Sequence, residues 1–215
     1  MSVPIIITSG GTSERIDGVR TITNISSGRL ALAVTLKLLQ HISDVHVHYI
    51  CGERALVPSA VMHQVTVTRV RNTQDLADAI DKLHSTDPFA FIHSMAVSDF
   101  SPVFREGKMP SDIKNPSIQL KANPKVINMI RETFPKTILF GFKLESGVSP
   151  RELIKRGQSL IDRSACNYAV VNLVEDISLF FHKGLIMDRH DIISTFYSKS
   201  DCGKKIAEII KGRMI

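Results

Sequence analysis

Two glycine-containing segments near the start of the chain have the residue types that bind phosphate groups. The first, at residues 8–12, reads Thr-Ser-Gly-Gly-Thr and directly follows the apolar run at residues 5–7. Glycines at the end of a first strand let the backbone turn sharply and approach a ligand closely. The spacing is not GxGxxG, so it does not predict a dinucleotide site, and an ordinary tight turn is the alternative interpretation.

The second segment, at residues 24–28, reads Asn-Ile-Ser-Ser-Gly and precedes an apolar pattern with helical spacing. A helix start exposes N–H groups, and the helix dipole adds partial positive charge there, which together suit a phosphate. Alternatively, Ser26 or Ser27 acts only as a helix cap. Both segments fall at the same end of the predicted sheet, so we expect them to form one phosphate site.

A third segment, at residues 94–100, reads Ser-Met-Ala-Val-Ser-Asp-Phe and ends another predicted strand. Its small side chains leave space for a ligand. Asp99 is a candidate for holding a hydroxyl group or a magnesium ion, since magnesium prefers oxygen ligands. A turn or helix-capping role is the alternative. We expect magnesium to arrive with a nucleotide rather than to occupy a site built by the protein alone.

Apolar runs alternate with helical patterns along most of the chain. The predicted strands lie at residues 5–8, 45–50, 65–70, 89–94, 138–142 and 168–172, and the predicted helices at residues 30–40, 73–84, 125–133 and 150–163. This alternation predicts an α/β fold, a three-layer Rossmann-like parallel sheet flanked by helices. Residues 178–182 and 185–187 predict a C-terminal β-hairpin extension, residues 192–197 a further strand and residues 200–211 a closing helix.

The longest stretch without periodicity covers residues 101–116. It contains Pro102, Gly107, Pro110 and Pro116 together with several charged residues. Loops of this length in compact domains are often lids or binding loops, so the sequence predicts a flexible lid here. We expect the whole chain, residues 1–215, to form one domain.

Composition and charge exclude several classes of protein. The 215 residues carry a net charge of +6, but the lysines and arginines are dispersed, so we expect no nucleic-acid partner; a modest positive field also suits a small polyanion. No run of about 18 apolar residues predicts a membrane span, and the N-terminus lacks the features of a signal peptide. The three cysteines form no CxxC motif, which favours a cytoplasmic location.

Five ordered blocks together resemble the phosphopantothenoylcysteine synthetases, or phosphopantothenate–cysteine ligases, of the DNA/pantothenate metabolism flavoprotein C-terminal family. These blocks are residues 8–12 with 19–20 and 24–28, residues 96–100, residues 123–126, residues 141–145 and residues 170–172. The length is similar to that of the stand-alone bacterial form. The resemblance implies a Rossmann-like fold and a homodimer, with a separate phosphopantothenoylcysteine decarboxylase as a further partner.

The resemblance implies a reaction in two steps. The carboxylate of 4′-phosphopantothenate attacks the α-phosphate of a nucleotide, giving an acyl-nucleotidylate and pyrophosphate. The amine of L-cysteine then displaces the nucleoside monophosphate. CTP is the implied co-substrate, with ATP as the alternative, and Mg²⁺ is the implied cofactor. Because the substrate carboxylate is itself the nucleophile, the protein needs no nucleophilic triad.

Roles for individual residues also follow from the resemblance. Asn24 would hold the acyl intermediate, Arg20 would steer the same group, and Lys108 would be the lid lysine, with Lys114 as its rival. Contacts to nucleotide or substrate are implied for Gly10, Gly11, Ser26, Ser27, Gly28, Met95, Ala96, Asp99, Pro124, Lys125, Val126, Ile127, Phe142, Arg163 and Asn172.

The sequence departs from the family pattern at several positions. The lysine-rich lid motif is reduced to Lys108, and Met95 stands where alanine is usual. Leu173 follows Asn172 in place of an aspartate. The two late nucleotide-binding lysines have no clear match, and Arg163 is the nearest basic residue.

Two other functions compete with the ligase. A nicotinamide oxidoreductase of the short-chain type needs a lysine four residues after a tyrosine, and none of the three tyrosines is followed by one. A non-catalytic nucleotide-binding module remains open, and the reduced lid motif is what favours it.

Overall fold

The computed structural model describes residues 2–112, 114–178 and 180–214. Within these residues the strands are β1 (Val3–Ser9), β2 (Ser13–Arg15), β3 (Thr21–Thr23), β4 (Val45–Gly52), β5 (Val65–Val70), β6 (Ala90–His93), β7 (Phe100–Pro102), β8 (Leu120–Ala122), β9 (Ile138–Glu145), β10 (Tyr168–Leu173), β11 (Gly184–Met187) and β12 (Ile192–Phe196). The helices are α1 (Arg29–His41), α2 (Thr73–Asp81), α3 (Val126–Thr133), α4 (Pro150–Ser164) and α5 (Lys199–Arg213), with 3₁₀ turns at Ser59–Gln64 and Val174–Asp176.

Eight strands form the main sheet in the order β12-β11-β10-β9-β6-β1-β4-β5. Six of these strands, β10, β9, β6, β1, β4 and β5, are parallel, while β11 and β12 run antiparallel at one edge. Helices α1 and α5 cover one face, and α2, α3 and α4 cover the other. The structure therefore confirms the predicted three-layer, Rossmann-like α/β fold.

The central strands are buried on both faces, which explains their continuous apolar runs. Ile5, Ile6 and Ile7 of β1 are fully buried between the two layers of helices. From β1 the chain first builds the sheet outward through β4 and β5, and then returns to the other side of β1 at β6. This reversal leaves a crevice at the carboxyl ends of β1 and β6, the usual ligand position in open α/β sheets.

The C-terminal extension is a hairpin, as predicted, but its two strands are not formed by the residues that were predicted to form them. β11 pairs with β12 and with β10, and residues 188–191 connect the hairpin. The prediction of a strand at residues 178–182 was wrong. The described residues of that segment form only an isolated bridge between Ile177 and His182, and Leu179 lies outside the described residues. Phe180 is 90% exposed, and Phe181 beside it is also exposed. In the sequence, these two apolar residues of a surface turn resembled part of a buried strand.

Part of the predicted loop is also regular structure. β7 pairs with β8 to form a two-stranded ribbon, called here the ribbon, so residues 101 and 102 belong to a strand. The irregular segment therefore runs from residue 103 to residue 119, and Ile113 within it lies outside the described residues. Its two ends are closed by a hydrogen bond of 2.9 Å from Val103 N–H to the Gln119 carbonyl.

Candidate active site

Three adjoining clefts open at the carboxyl edge of the sheet. The largest, the α3–α4 cleft, has a volume of about 410 Å³ and lies between β6, β9 and the helices for which it is named. It brings together nine of the predicted residues: Met95, Ala96, Asp99, Pro124, Lys125, Val126, Ile127, Phe142 and Arg163. Residues from four separate sequence segments therefore meet in one cleft.

The other two clefts lie on the α1 side. The α1 cleft, of about 340 Å³, is lined by Ser26, Ser27, Gly28 and Asn172, and it shares Met95, Ala96 and Phe142 with the α3–α4 cleft. The Asn24 cleft, of about 310 Å³, is lined by Gly11, Asn24, Ser26 and Ser27. The α1 cleft thus borders both of its neighbours.

Helix α1 begins with its N–H groups at the α1 cleft. Gly28 is the N-cap residue in a left-handed conformation (φ 73°), and no side chain caps the helix within the described residues. Ser26 and Ser27 therefore do not serve as helix caps, which was the alternative interpretation of these residues. Uncapped N–H groups and the helix dipole make this end of the cleft a favourable place for an anion.

Gly10, just after β1, packs closely against neighbouring segments of the chain. It is buried, adopts φ 78°, and a Cβ placed on it would lie 2.6 Å from the Cβ of Ala55. Its carbonyl accepts a hydrogen bond of 2.8 Å from Ala96 N–H. Gly10 lines none of the three clefts described above, so its position favours close packing of the chain rather than direct contact with a ligand.

The amide of Asn24 is positioned by the third segment. Its Nδ2 donates a hydrogen bond of 3.2 Å to the carbonyl of Ala96, which also accepts from the N–H of Thr12 at 3.2 Å. Ala96 thereby joins the segments at residues 8–12, 24–28 and 94–100 to one another. Asn24 thus lines its own cleft and contacts Ala96, a residue that lines the two other clefts.

Asp99 and Lys125 form an ion pair of 2.5 Å at the mouth of the α3–α4 cleft, and both side chains are more than 60% exposed. Asn123 holds the two segments together, because its Nδ2 donates to the Ser98 carbonyl at 2.8 Å and its N–H donates to the Asp99 carbonyl at 2.9 Å. Mg²⁺ is usually bound by one or two carboxylates plus substrate phosphates. The exposed carboxylate of Asp99 fits that role.

Arg20 and Lys108 lie together but outside the three clefts. Arg20 donates to the carboxylate of Asp17 at 2.7 Å and to the carbonyl of Met109 at 3.2 Å. Asp17 is fully buried and also accepts from the backbone N–H groups of Met109, Val19 and Arg20. These hydrogen bonds hold the pKa of the Asp17 carboxyl well below its usual range.

The predicted lid is held by hydrogen bonds on both sides of Lys108, one of which goes to this buried carboxylate. The Gly107 carbonyl accepts from Gly18 N–H at 2.8 Å, and Met109 N–H donates to Asp17 at 2.9 Å. The side chain of Lys108 is exposed between these anchors, and Lys114 is exposed farther along the same segment. Neither lysine forms an ion pair within the part of the chain that the structure describes.

Sequence reasoning missed two residues of the α3–α4 cleft. His93 ends β6, and its Nδ1 lies 2.9 Å from the hydroxyl of Thr8; burial lowers the pKa of His93 to about 4. Lys143 follows Phe142 on β9 and adds a cation to the cleft. The lysine stands inside a block that carried the family resemblance, so the signal for it was present.

Two further missed residues, His182 and Lys199, line the α1 cleft. No motif marks either of them. His182 was assigned to a strand that does not form, and Lys199 is the first residue of a helix predicted to begin one residue later.

The family model of the DNA/pantothenate metabolism flavoprotein C-terminal domain matches residues 2–212. The chain belongs to this family. It is 30% identical over 177 residues to the coenzyme A biosynthesis bifunctional protein CoaBC of Thermococcus kodakarensis, covering 80% of this chain and 41% of the relative. It is 27% identical over 212 residues to CoaBC of Methanocaldococcus jannaschii, and the match covers 96% of this chain and 50% of the relative. The chain thus spans half or less of the length of these curated relatives.

Solved structures of the family share the fold. The DNA/pantothenate metabolism flavoprotein from Streptococcus pneumoniae superimposes with a TM-score of 0.91 at 28% identity, covering 99% of this chain and all of that one. A Cab2 mutant in complex with phosphopantothenate-cysteine superimposes with a TM-score of 0.75 at 15% identity, and the match covers 98% of this chain and 86% of that one. The second likeness, at that identity, speaks for the fold alone.

Two other kinds of feature are absent from the part of the chain that the structure describes. In the described residues no helix is long and apolar enough to cross a membrane. Within the same ranges, no group of three or more histidine, cysteine, aspartate or glutamate side chains is placed to hold a metal ion.

Proposed function

We propose that the protein is a phosphopantothenate–cysteine ligase of coenzyme A biosynthesis. It would join 4′-phosphopantothenate to L-cysteine through an acyl-nucleotidylate, with CTP as the co-substrate and release of CMP and pyrophosphate. The convergence of the family blocks on three adjoining clefts is the observation that carries this proposal. Family membership and the CoaBC relatives support it.

The nucleotide would occupy the α3–α4 cleft. Phe142 offers an apolar surface to the base or ribose, while Lys125, Lys143 and Arg163 supply positive charge. The phosphates would extend toward the N–H groups at the start of α1, where the helix dipole favours them. Mg²⁺ would bridge the phosphates to Asp99 and offset their repulsion with the second anionic substrate.

Asn24 would act at the acyl group, where the clefts meet. A neutral amide both donates and accepts hydrogen bonds, so it holds a carbonyl without competing as a nucleophile. When the cysteine amine attacks that carbonyl, negative charge develops on its oxygen. A donor already in place stabilises this charge without further reorganisation.

The functional unit in this proposal is a homodimer. The ribbon and its flanks expose Phe100, Val103, Phe104 and Leu120, each about half accessible in the monomer. Exposed apolar surface of this kind marks protein interfaces. Arg20 and Lys108 lie outside the clefts of their own subunit, so pairing through the ribbon would give them a route to the partner's clefts.

The proposal also includes a cytoplasmic location and a separate phosphopantothenoylcysteine decarboxylase that takes the product. All three cysteines are buried thiols rather than disulfides, which fits a reducing compartment. Neither ATP nor CTP is favoured by a particular side chain, and CTP is proposed from the family resemblance.

Pyrophosphate release is the direct test. The protein is incubated with Mg²⁺, 4′-phosphopantothenate and each of the four nucleoside triphosphates in turn, with and without cysteine. We expect release with CTP that depends on phosphopantothenate, and a condensed product by mass spectrometry only when cysteine is present. Folded protein that binds a nucleotide but releases no pyrophosphate from any of the four would instead be a non-catalytic nucleotide-binding module.

A further inference from the structure

His182 buries both ring nitrogens without a hydrogen-bond partner among the described residues. The residue is only 5% exposed, it lines the α1 cleft, and its ring packs against that of Phe196 with 5.9 Å between centroids. Its backbone N–H is fixed by a hydrogen bond of 3.1 Å to the carbonyl of Tyr197. Leaving a buried polar group unpaired is costly, so each such group in a native protein needs an explanation.

Two cations converge beside this histidine. Lys199 is the first residue of α5, Arg29 is the first residue of α1, and both line the α1 cleft. The two helices pack closely because Gly203 lies against α1, where a Cβ would come within 2.8 Å of the Ala33 carbonyl. Burial, and then the charge of Arg29, lower the pKa of Lys199.

This arrangement breaks the usual rule of helix electrostatics. A helix start already carries partial positive charge, and cations there are unfavourable. Neither Lys199 nor Arg29 forms an ion pair with a carboxylate in residues 2–112, 114–178 and 180–214. Local rules of this kind are broken mainly at functional sites. The start of α5 is compensated, because Ser198 caps it and Asp201 lies in its first turn, whereas the first turn of α1 has neither a side-chain cap nor an acidic residue among the described residues. The positive start of α1, two cations and an unpartnered histidine therefore form a site for an anionic ligand.

The histidine indicates which anionic ligand fits. Burial, followed by the charge of Lys199, lowers the pKa of His182 to about 4, so the ring is neutral near pH 7. A neutral imidazole has one donor and one acceptor. A phosphate offers acceptors only, whereas an α-amino acid offers a carboxylate beside an amine and so uses both nitrogens as well as the cations.

We propose that the end of the α1 cleft formed by His182, Lys199 and Arg29 binds the amino-acid substrate, cysteine. Lys199 and the N–H groups at the start of α1 hold its carboxylate, and His182 contacts its amine. The proposal rests on the proposed ligase function and assigns the substrate for which the family blocks gave no residues. The α1 cleft shares Met95 and Ala96 with the α3–α4 cleft, where the nucleotide is proposed to bind. An amine bound in the α1 cleft would therefore lie next to the acyl group.

The same charges favour the reactive form of cysteine. Burial and nearby cations both disfavour a further positive charge, and burial, followed by the charge of Arg29, lowers the pKa of Lys199 here. The α-ammonium of a bound cysteine would experience the same field and would lose its proton more easily. The site would therefore hold cysteine as the neutral amine, which is the nucleophile of the second step.

Lys199→Met tests the carboxylate contact with a pair of substrates. Cysteamine is cysteine without its carboxylate, and the matched control is Lys204→Met, which removes an exposed lysine on the same helix. For Lys199→Met we expect kcat/KM for cysteine to fall about ten- to hundredfold, the range for a hydrogen bond to a charged group, while kcat/KM for cysteamine stays unchanged. Lys204→Met should behave like the wild type with both substrates.

Formation of the acyl-nucleotidylate without cysteine separates this proposal from the ligase proposal. If the wild type forms no intermediate, the ligase function itself fails. If the intermediate forms and Lys199→Met keeps the wild-type preference for cysteine over cysteamine, only the cysteine site is refuted. A raised KM for nucleotide or phosphopantothenate in Lys199→Met would show that the cations bind a phosphate, and this too would overturn the assignment.

His182→Phe tests the amine contact. Phenylalanine keeps the ring that packs on Phe196 and removes two nitrogens that have no partner in the described structure, so we expect the Tm not to fall. The KM for cysteine should rise about tenfold, as for the loss of one hydrogen bond, with intermediate formation unchanged. A lowered Tm with an unchanged KM for cysteine would mean that His182 serves packing alone. His190→Phe, at an exposed histidine of the hairpin turn, is the control.

Discussion

Replacing Gly28 with alanine tests the packing that presents the start of α1 to the clefts. Gly28 has φ 73°, where residues other than glycine are strained by roughly 1–2 kcal/mol. A Cβ at this position would also overlap the hydroxyl of Ser9 and lie 3.2 Å from the Cβ of Ala55. Overpacking of this kind typically costs about 1–3 kcal/mol. We therefore expect Gly28→Ala to lower the free energy of unfolding by about 2–5 kcal/mol.

Gly147→Ala is a matched control because it has the same backbone conformation without the contacts. Gly147 has φ 67°, and a Cβ placed on it meets no other described atom within 4 Å. Only the conformational cost should appear there, about 1–2 kcal/mol. The difference between the two variants thus isolates the close approach of α1 to the end of β1.

Urea unfolding of the wild type and both variants measures this difference directly. For a protein of this size, the Tm should change by about 2–4 °C per kcal/mol. Pyrophosphate release, assayed well below the Tm, should fall far more in Gly28→Ala than in Gly147→Ala, because the N–H groups of α1 are displaced from the phosphates. Equal losses of stability in the two variants would refute the close packing of Gly28 against Ser9.

Three further predictions concern single side chains. Asn24→Asp should still form the acyl-nucleotidylate, while the rate of transfer to cysteine should fall by about 10²–10³ because the hydrogen-bond donor is lost. Mass spectrometry with and without cysteine measures both steps, and a folded variant that forms no intermediate would contradict this prediction. Lys108→Gln should lower turnover with little change in Tm, and Lys114→Gln should not; the reverse result would identify Lys114 as the lid lysine. The free energy of unfolding should fall as the pH drops from about 6.5 toward 4, because the pKa of His182 is about 4 in the folded protein and that of His93 is similar. His182→Phe should reduce that slope by up to about 1.4 kcal/mol per pH unit in urea unfolding, and an unchanged slope would show that His182 is not buried in its neutral form.

The parallel core of the fold was predictable because its strands are buried on both faces. Ile5, Ile6 and Ile7 make β1 apolar at every position, and such runs between helical patterns predict a parallel sheet. The hairpin was harder, since Phe180 and Phe181 are apolar yet exposed on a turn. Hydrophobicity alone does not distinguish a buried edge strand from a surface turn that a partner or ligand could cover.

The candidate site was predictable where its residues fall in contiguous blocks. Ala96, Asp99 and Phe142 came from such blocks, and the structure places all three in one cleft. His182 and Lys199 were not predictable, because tertiary contacts bring both of them to the α1 cleft. The packing of α5 on α1 places Lys199, while the bridge to Ile177 and the hydrogen bond to the Tyr197 carbonyl place His182. That packing depends on Gly203, and its contact with α1 spans about 170 residues of chain.

The meeting of β1 with β6 explains why segments so far apart form one site. Pairing of the two strands continues past their ends through a bridge between Gly11 and Ala96, so the two segments that follow β1 and β6 leave the sheet side by side. The carbonyl of Ala96 then accepts from Thr12 N–H and from the Asn24 amide, while Thr12 and Ser98 exchange hydrogen bonds of 2.9 and 3.1 Å. Because Asn123 is docked on the Ser98 carbonyl, the start of α3 is fixed by the same contacts. The position of Asn24 relative to the α3–α4 cleft is therefore set by hydrogen bonds between backbone groups and short polar side chains, those of Thr12, Ser98 and Asn123 among them.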